Sequence, residues 1–272
     1  MESFLNFFEM MPAWQRLVWI VICLVLCWVL EGNFPLFKLS YQKWKHAGVN
    51  FVFLTTTMLI NIIFGILTVG VFVWTKHYHI GLIYYIDLPI WLELFITVLI
   101  FELMAQYLVH YLLHRVKWMW KFHMIHHSDT HLDATSGTRH HPGDFVMRES
   151  FALAAVVVTG APVGYYFFYR ICTVFFTYFT HANIQMPLWL DKFLSLLFIT
   201  PNMHKFHHHY QRPWTDTNFG NIFSIWDRLF GTFVYDDPKK IKYGLDVLDE
   251  ATSQDIVYQL KLPFDKSIKT DY

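Results

Sequence analysis

Long apolar runs without a polar stripe dominate the first 113 residues of the chain. One leads from Trp14 to about residue 31, a second covers residues 51–75 and a third residues 88–113. Roughly 18 to 26 residues each, they are long enough to cross a hydrocarbon core of about 30 Å as helices. A helix packed on a soluble core keeps a polar face. These runs have none, so they predict membrane spans. Trp14, Trp19, Trp28, Trp74 and Trp91 fall toward the run ends, where amphipathic rings sit at the membrane boundary. The first run does not read as a cleaved signal peptide, because Glu2 and Glu9 precede it and no small-residue cleavage site follows.

Composition agrees with a membrane setting. The 272 residues are 55% hydrophobic, 19% aromatic and only 15% charged, with 21 basic and 21 acidic side chains. That is far from a soluble average, and no nucleic-acid partner is expected. Lysine and arginine in the short connections set the orientation. Lys38, Lys43 and Lys45 follow the first run and Arg115, Lys117 and Lys121 the third, whereas the second connection holds one lysine and one aspartate, Lys76 and Asp87. The first and third connections are therefore expected on the cytoplasmic side, with the amino terminus opposite. Cys23, Cys27 and Cys172 lie in apolar segments and are expected to be packing residues.

Three histidine clusters change the picture from a membrane protein to a metal-binding one. They are His110-x3-His114, His123-x2-His126-His127 and His204-x2-His207-His208. Side chains three or four apart share a helical face, so each cluster can aim several imidazoles at one point. Imidazole suits iron, zinc, copper or nickel. Eight converging ligands are too many for one ordinary ion and about right for two, so the clusters predict a metal pair.

For the clusters to meet, they must lie on one side of the membrane. The apolar stretch from Phe151 to Thr180 would carry His181 and the third cluster across if it passed once. It is therefore expected to be a helical hairpin turning at Gly160, Pro162 and Gly164. Its arms, about 13 to 16 residues, reach roughly 20–24 Å, which is short for a full crossing and suits a tilted or re-entrant pair. Arg170 lies in the second arm without an evident partner in sequence. Leu188–Phe198 reads as an amphipathic segment at the interface.

Other chemistries lack their signatures: the chain has no H-E-x-x-H, no G-x-S-x-G, no glycine dinucleotide fingerprint and no Glu-x-x-His pair. A metal transporter would bury ionisable residues along its spans. Here the histidines crowd span ends and connections instead. A zinc hydrolase would need a general base or nucleophile that the sequence does not offer.

The three clusters, with Trp120–Asp129, Arg139-His-His-Pro142, Phe179-Thr-His-Ala-Asn183 and Asn221-Ile-Phe-Ser-Ile-Trp-Asp-Arg-Leu-Phe-Gly-Thr232, resemble the boxes of the fatty acid hydroxylase/sterol desaturase superfamily over roughly residues 90 to 235. The resemblance implies a non-haem di-iron monooxygenase that uses O2 and electrons to hydroxylate a lipid C–H bond, with desaturation as the alternative outcome. It implies ligands at His110, His114, His123, His126, His127, His204, His207 and His208, with His141 and His181 at further family positions. Two iron ions are implied, with zinc as an alternative occupant, together with a separate electron donor: a cytochrome b5-like protein, a ferredoxin or a flavin reductase. Asp129, Asp133, Asp144 and Asp216 are candidate partners for the outer ring nitrogens. His140 and His209 are off pattern, and His46, His77, His79 and His131 are expected to be ordinary interface or loop residues.

The sequence thus predicts an all-α, polytopic integral membrane protein with about three spans, a helical hairpin and a cytoplasmic histidine-rich cap that holds the metals. It reads as a single membrane-embedded domain over residues 1–272, with the histidine boxes in 110–232 and a polar tail at 236–272. A bacterial inner membrane is favoured over an endoplasmic reticulum.

Overall fold

The structure, a computed structural model, describes residues 1–268 apart from Pro213. The last four residues of the expected polar tail, 269–272, lie outside the described residues. No strand is present among the described residues, and two isolated bridges, Pro35 with Ile184 and Phe198 with Phe223, tie loops together.

Prolines mark the helix starts. The helices α1 (Glu2–Glu9), α2 (Ala13–Asn33), α3 (Lys43–Tyr78) and α4 (Ile90–Arg115) are followed by α5 (Lys117–His127), α6 (Pro142–Thr159), α7 (Val163–His181), α8 (Leu188–Leu194) and α9 (Pro201–His207). Pro12, Pro89, Pro162 and Pro187 stand immediately before α2, α4, α7 and α8, and Pro142 and Pro201 open α6 and α9. Proline suits this place because its fixed φ is helical and its missing N–H has no partner to lose there.

Three of these helices, α2, α3 and α4, are long and apolar enough to cross a membrane. Their outward residues, among them Val21, Ile62, Ile66 and Phe95, are exposed large apolar side chains. α3 has 36 residues, about 54 Å at 1.5 Å per residue, far more than a ~30 Å hydrocarbon core requires. The surplus lies at its amino end. It begins eight residues before the apolar run and carries His46 and Asn50, both buried, into the histidine cap.

The hairpin expected over 151–180 is formed by α6 and α7, which turn through Gly160–Pro162. Both arms are longer than the apolar stretch suggests, 18 and 19 residues. Arg170 has a partner after all: its guanidinium donates to Glu149 Oε1 at 2.8 Å, so the two arms share a half-buried ion pair. α6 packs against α3 and α4, and α7 packs against α1, α2 and α9.

The segment after the hairpin is amphipathic, as its pattern predicts. Leu188, Trp189, Phe193, Leu196 and Leu197 are exposed, while Asp191 is buried and accepts from Thr200 Oγ1 and Tyr235 Oη. It hands the chain directly to α9, which carries the third histidine cluster.

Candidate metal centre

Four elements meet at the ends of the spans. α4 supplies His110 and His114, α5 supplies His123, His126 and His127, α7 ends on His181, and α9 with the residue after it supplies His204, His207 and His208. The α4 face is set by a single wide turn. Residues Leu103–Leu108 form a π-helical segment just before His110, a feature frequent at functional sites. Pro201 and the Thr200 cap fix where α9 begins, so its histidines follow at i, i+3 and i+4 from His204.

The nine imidazoles form two groups. His110, His114, His123, His127 and His207 place one ring nitrogen each within 4.8 Å of all the others, and His126, His181, His204 and His208 do the same. The groups adjoin: the rings of His127 and His208 stack at 4.5 Å. All nine side chains are buried. The structure thus brings together all eight histidines of the three boxes, and His181 with them.

His141 is not brought to either group. Its Nδ1 caps α6 by accepting from Gly143 N at 3.0 Å, and its Nε2 donates to Leu260 O at 3.2 Å. Both ring nitrogens are used in holding backbone. His140, off pattern in the sequence, lies closer to the centre; it stacks on His126 at 4.6 Å and bonds Asp144 Oδ2 at 2.9 Å. His209 accepts from Lys242 N.

The outer ring nitrogens decide what the centre can hold. A carbonyl oxygen only accepts, so a ring nitrogen bonded to one must carry the proton. His110 Nδ1 donates to Phe219 O at 2.9 Å, His207 Nδ1 to Thr217 O at 2.8 Å, His126 Nδ1 to Arg139 O at 3.3 Å and His181 Nδ1 to Thr177 O at 2.7 Å. His123 Nδ1 meets Asp144 Oδ2 at 3.2 Å and His114 Nδ1 meets Asp216 Oδ1 at 3.3 Å. In a neutral ring that leaves Nε2 a bare lone pair. Yet Nε2 of His110 lies 3.1 Å from Nε2 of His123, and Nε2 of His126 lies 3.1 Å from Nε2 of His181. Two bare lone pairs at that distance repel. Protonation is no remedy: burial pushes His123 down to about 3 and holds His126, His127, His204, His207 and His208 well below the ordinary imidazole value. His207 Nε2 and His204 Nδ1 are buried with no hydrogen-bond partner. Inward lone pairs, outward protons and orphaned nitrogens fit cations in both groups.

The carboxylates divide unequally between site and scaffold. Asp144 and Asp216 hold His123 and His114. Burial alone would raise both carboxyls, but Arg148 with His123 holds Asp144 well down, and His114 with Arg115 lowers Asp216. Asp129 and Asp133 instead hold His46, at 2.8 Å and 3.2 Å. His46 is thus a buried bridge in the cap and not an ordinary interface residue. Beside it, the fully buried Arg139 donates to Ile125 O, Asn50 Oδ1, Ser128 Oγ and the Ser253 carbonyl. Two scaffold acids had no role in the sequence reading. Glu102, at the start of the π segment, accepts from Asn221 N and Ile222 N, and Asp227 accepts from Phe219 N and Gly220 N. Asp227 lies in the Asn221–Thr232 motif, and Glu102 stands as an acid within the third apolar run.

Comparison with known proteins gives a consistent assignment. The chain is similar to an ornithine lipid hydroxylase of Rhizobium tropici, 28% identical over 148 residues that make up 54% of this chain and 43% of that protein. It is similar to the alkylglycerol monooxygenases of Caenorhabditis elegans, 29% identical over 152 residues (54% of this chain, 28% of that one), and Homo sapiens, 26% identical over 127 residues (47% and 27%). The chain therefore spans less than half the length of each of these relatives. No solved structure matches it. Residues 94–232 match the fatty acid hydroxylase family. That stretch is just over half of the chain and contains all nine clustered histidines, so the chain belongs to the fatty acid hydroxylase family.

Proposed function

We propose that this protein is a multi-pass membrane oxidoreductase that hydroxylates a C–H bond in the chain of a membrane lipid. The observation that carries the reading is the pair of adjoining histidine groups, in which six outer nitrogens meet oxygen acceptors and the inner lone pairs converge without protons. The named activities of the relatives, hydroxylation of an ornithine lipid and monooxygenation of an alkylglycerol, support a lipid with a polar headgroup as substrate.

The proposed occupants are two iron ions, one held by His110, His114, His123, His127 and His207 and the other by His126, His181, His204 and His208. Iron bound there supplies the activation of O2 and the removal of a hydrogen atom from carbon. Zinc would fill the same imidazoles but has no redox chemistry of its own. The reaction balances as lipid C–H, O2, two electrons and two protons giving lipid C–OH and water. A separate donor, of cytochrome b5, ferredoxin or flavin-reductase type, supplies the electrons.

The chain's own contribution is orientation and dryness. Asp144 and Asp216 fix the tautomers of His123 and His114, and the four carbonyls fix those of His110, His126, His181 and His207. Burial of every ligand keeps bulk water from the centre. Lys38, Lys43, Lys45, Arg115, Lys117 and Lys121 favour a cap on the cytoplasmic side. The proposed setting is a bacterial inner membrane, with the whole chain acting as one membrane-embedded unit.

The test is mass spectrometry of total lipids from cells making the native protein or the His126→Ala/His207→Ala variant. A lipid heavier by one oxygen, present only with the native protein, is the expected result. A lipid lighter by two hydrogens would replace hydroxylation with desaturation. Identical lipids in aerated cells with an active reductase supply would overturn the reading.

A further inference from the structure

The two histidine groups differ in what stands behind them. In the five-histidine group Asp144 and Asp216 bond His123 and His114 directly. His110 donates to the Phe219 carbonyl instead, and that carbonyl belongs to the peptide whose N–H, on Gly220, donates to Asp227 Oδ2 at 3.0 Å. The chain of bonds runs unbroken from imidazole through peptide to carboxylate. Asp227 is fully buried, and its Oδ1 accepts from Phe219 N at 2.7 Å and Thr232 Oγ1 at 2.7 Å. A Cβ on residue 220 would lie 3.1 Å from Asp227 Oδ2 and 2.6 Å from Phe223 O, so only glycine lets the carboxylate reach this peptide.

The four-histidine group has no such support. His126 and His181 donate to the carbonyls of Arg139 and Thr177, and among the described residues none of the four meets a carboxylate. A cation lies nearby instead: the buried ammonium of Lys205 donates to Ala182 O, the residue after His181.

We propose that Asp227 is a positioning residue that acts on His110 through the Phe219–Gly220 peptide. With Asp144 and Asp216 it makes the five-histidine position the tighter of the two metal positions. The inference rests on the metal-centre reading above. An anion behind an imidazole raises the basicity of its inner nitrogen, and hydrogen bonds in a buried chain polarise one another. A carboxylate buried without an ion-pair partner costs stability. Asp227 forms none among the described residues. Its two oxygens receive Phe219 N and Gly220 N separately, so an amide, with one acceptor oxygen, would lose either the bond to the peptide that serves His110 or the one beside it.

The experiment uses the full chain purified in detergent, freed of metal and supplied with cobalt(II), with binding followed by cobalt absorption. The native protein is expected to take two equivalents of unequal affinity. In Asp227→Asn the tighter equivalent weakens about tenfold, the low end of the range for partners outside the ligand set, and the weaker one is unchanged. Glu102→Met is the control for anchoring, because it removes the one oxygen, Oε1, that holds the next two N–H groups of the same loop, at 2.7 and 2.6 Å, off the peptide that serves His110. Equal losses in the two variants would mean loop anchoring and overturn the proposal, as would native binding in Asp227→Asn. Asp227→Glu keeps the charge while disturbing the geometry, and is expected to retain the tight equivalent. Should the Asn variant fail to fold, a tenfold loss in the Glu variant overturns the proposal. A native protein that binds no cobalt would remove the metal-centre reading itself.

Discussion

At the scale of single residues, the centre is a set of polar groups whose burial only makes sense in pairs. Lys205 is the most exposed to this logic because it sits between His204 and His207 with only carbonyls, Ala182 O and Pro201 O, as partners. Burial pushes its ammonium down from 10.5 to about 7, against the pull of Asp191 and Glu31. A buried cation of lowered pKa costs stability in full below about 7. That cost fades as pH rises toward 10.5, because the unfolded chain then binds the extra proton less. Metal-free native protein should therefore gain stability over Lys205→Met between pH 7 and 9, by about 2 kcal/mol. Denaturant unfolding of both proteins at the two pH values checks this, and a pH-independent difference would refute it. Much of this scale was legible in sequence. The spacing of the three clusters grouped eight histidines, and the Phe179–Asn183 resemblance added His181. His141 was implied by the same resemblance but caps a helix, because a motif marks a position and not what its side chain meets. Asp144 and Asp216 could not be told from Asp129 and Asp133 for the same reason.

At the scale of elements, the sequence marked the spans and the hairpin through apolar runs and the Gly160–Pro162 break. It did not mark the π-helical turn at Leu103–Leu108, since one extra residue in a continuous apolar helix leaves no polar register to shift. Nor did it show that α3 overshoots the membrane, because the surplus turns of Lys43–Asn50 are polar and look like a loop until His46 and Asn50 find partners in the cap. The hairpin turn carries a sharper consequence. Gly160 has φ +65° and a Cβ there would meet Ile80 O at 2.4 Å, while Gly81, at φ +118°, would place a Cβ 2.2 Å from Gly160 N. Two glycines from different connections thus pack backbone against backbone on the side of the bundle away from the histidines. Gly160→Val adds a left-handed strain to a steric clash, and should cost about 2 to 4 kcal/mol. A thermal melt in detergent should fall by several degrees, while any folded fraction keeps its metal. A melt that does not move would mean the turn is free to relax.

At the scale of the whole molecule, the polar tail belongs to the cap. Nothing in the pattern of residues 236–268 assigns them a part in the centre, because their few apolar residues are scattered and lack a strong period. In the structure they run back across α5. Lys242 exchanges backbone bonds with Tyr210 and the ring of His209, Gln259 accepts from Ser128 Oγ at 3.0 Å, and Leu260 O receives His141. Leu245 and Leu262 pack with Trp120 and Met124 in one buried cluster that also holds Val49 and Phe53 of α3. Trp120 in turn lies 5.0 Å from the ring of His114 and 5.4 Å from that of His127. The tail is therefore one wall of the five-histidine group, reached through a single indole. A chain stopped after Val247 would lose the Ser253 carbonyl that receives Arg139, leaving part of a fully buried guanidinium unsatisfied, and would expose Trp120 and Met124 to water. Such a loss weighs several kcal/mol on a fold whose net stability is of order 5–15 kcal/mol. The spans do not depend on it, since α2, α3 and α4 are apolar enough to insert by themselves. The expected outcome is a truncated protein that still resists alkaline extraction from membranes but retains less than half of the native metal per chain. Native metal content after truncation would show that the cap closes without its tail. Failure to insert would show that the spans depend on the cap after all.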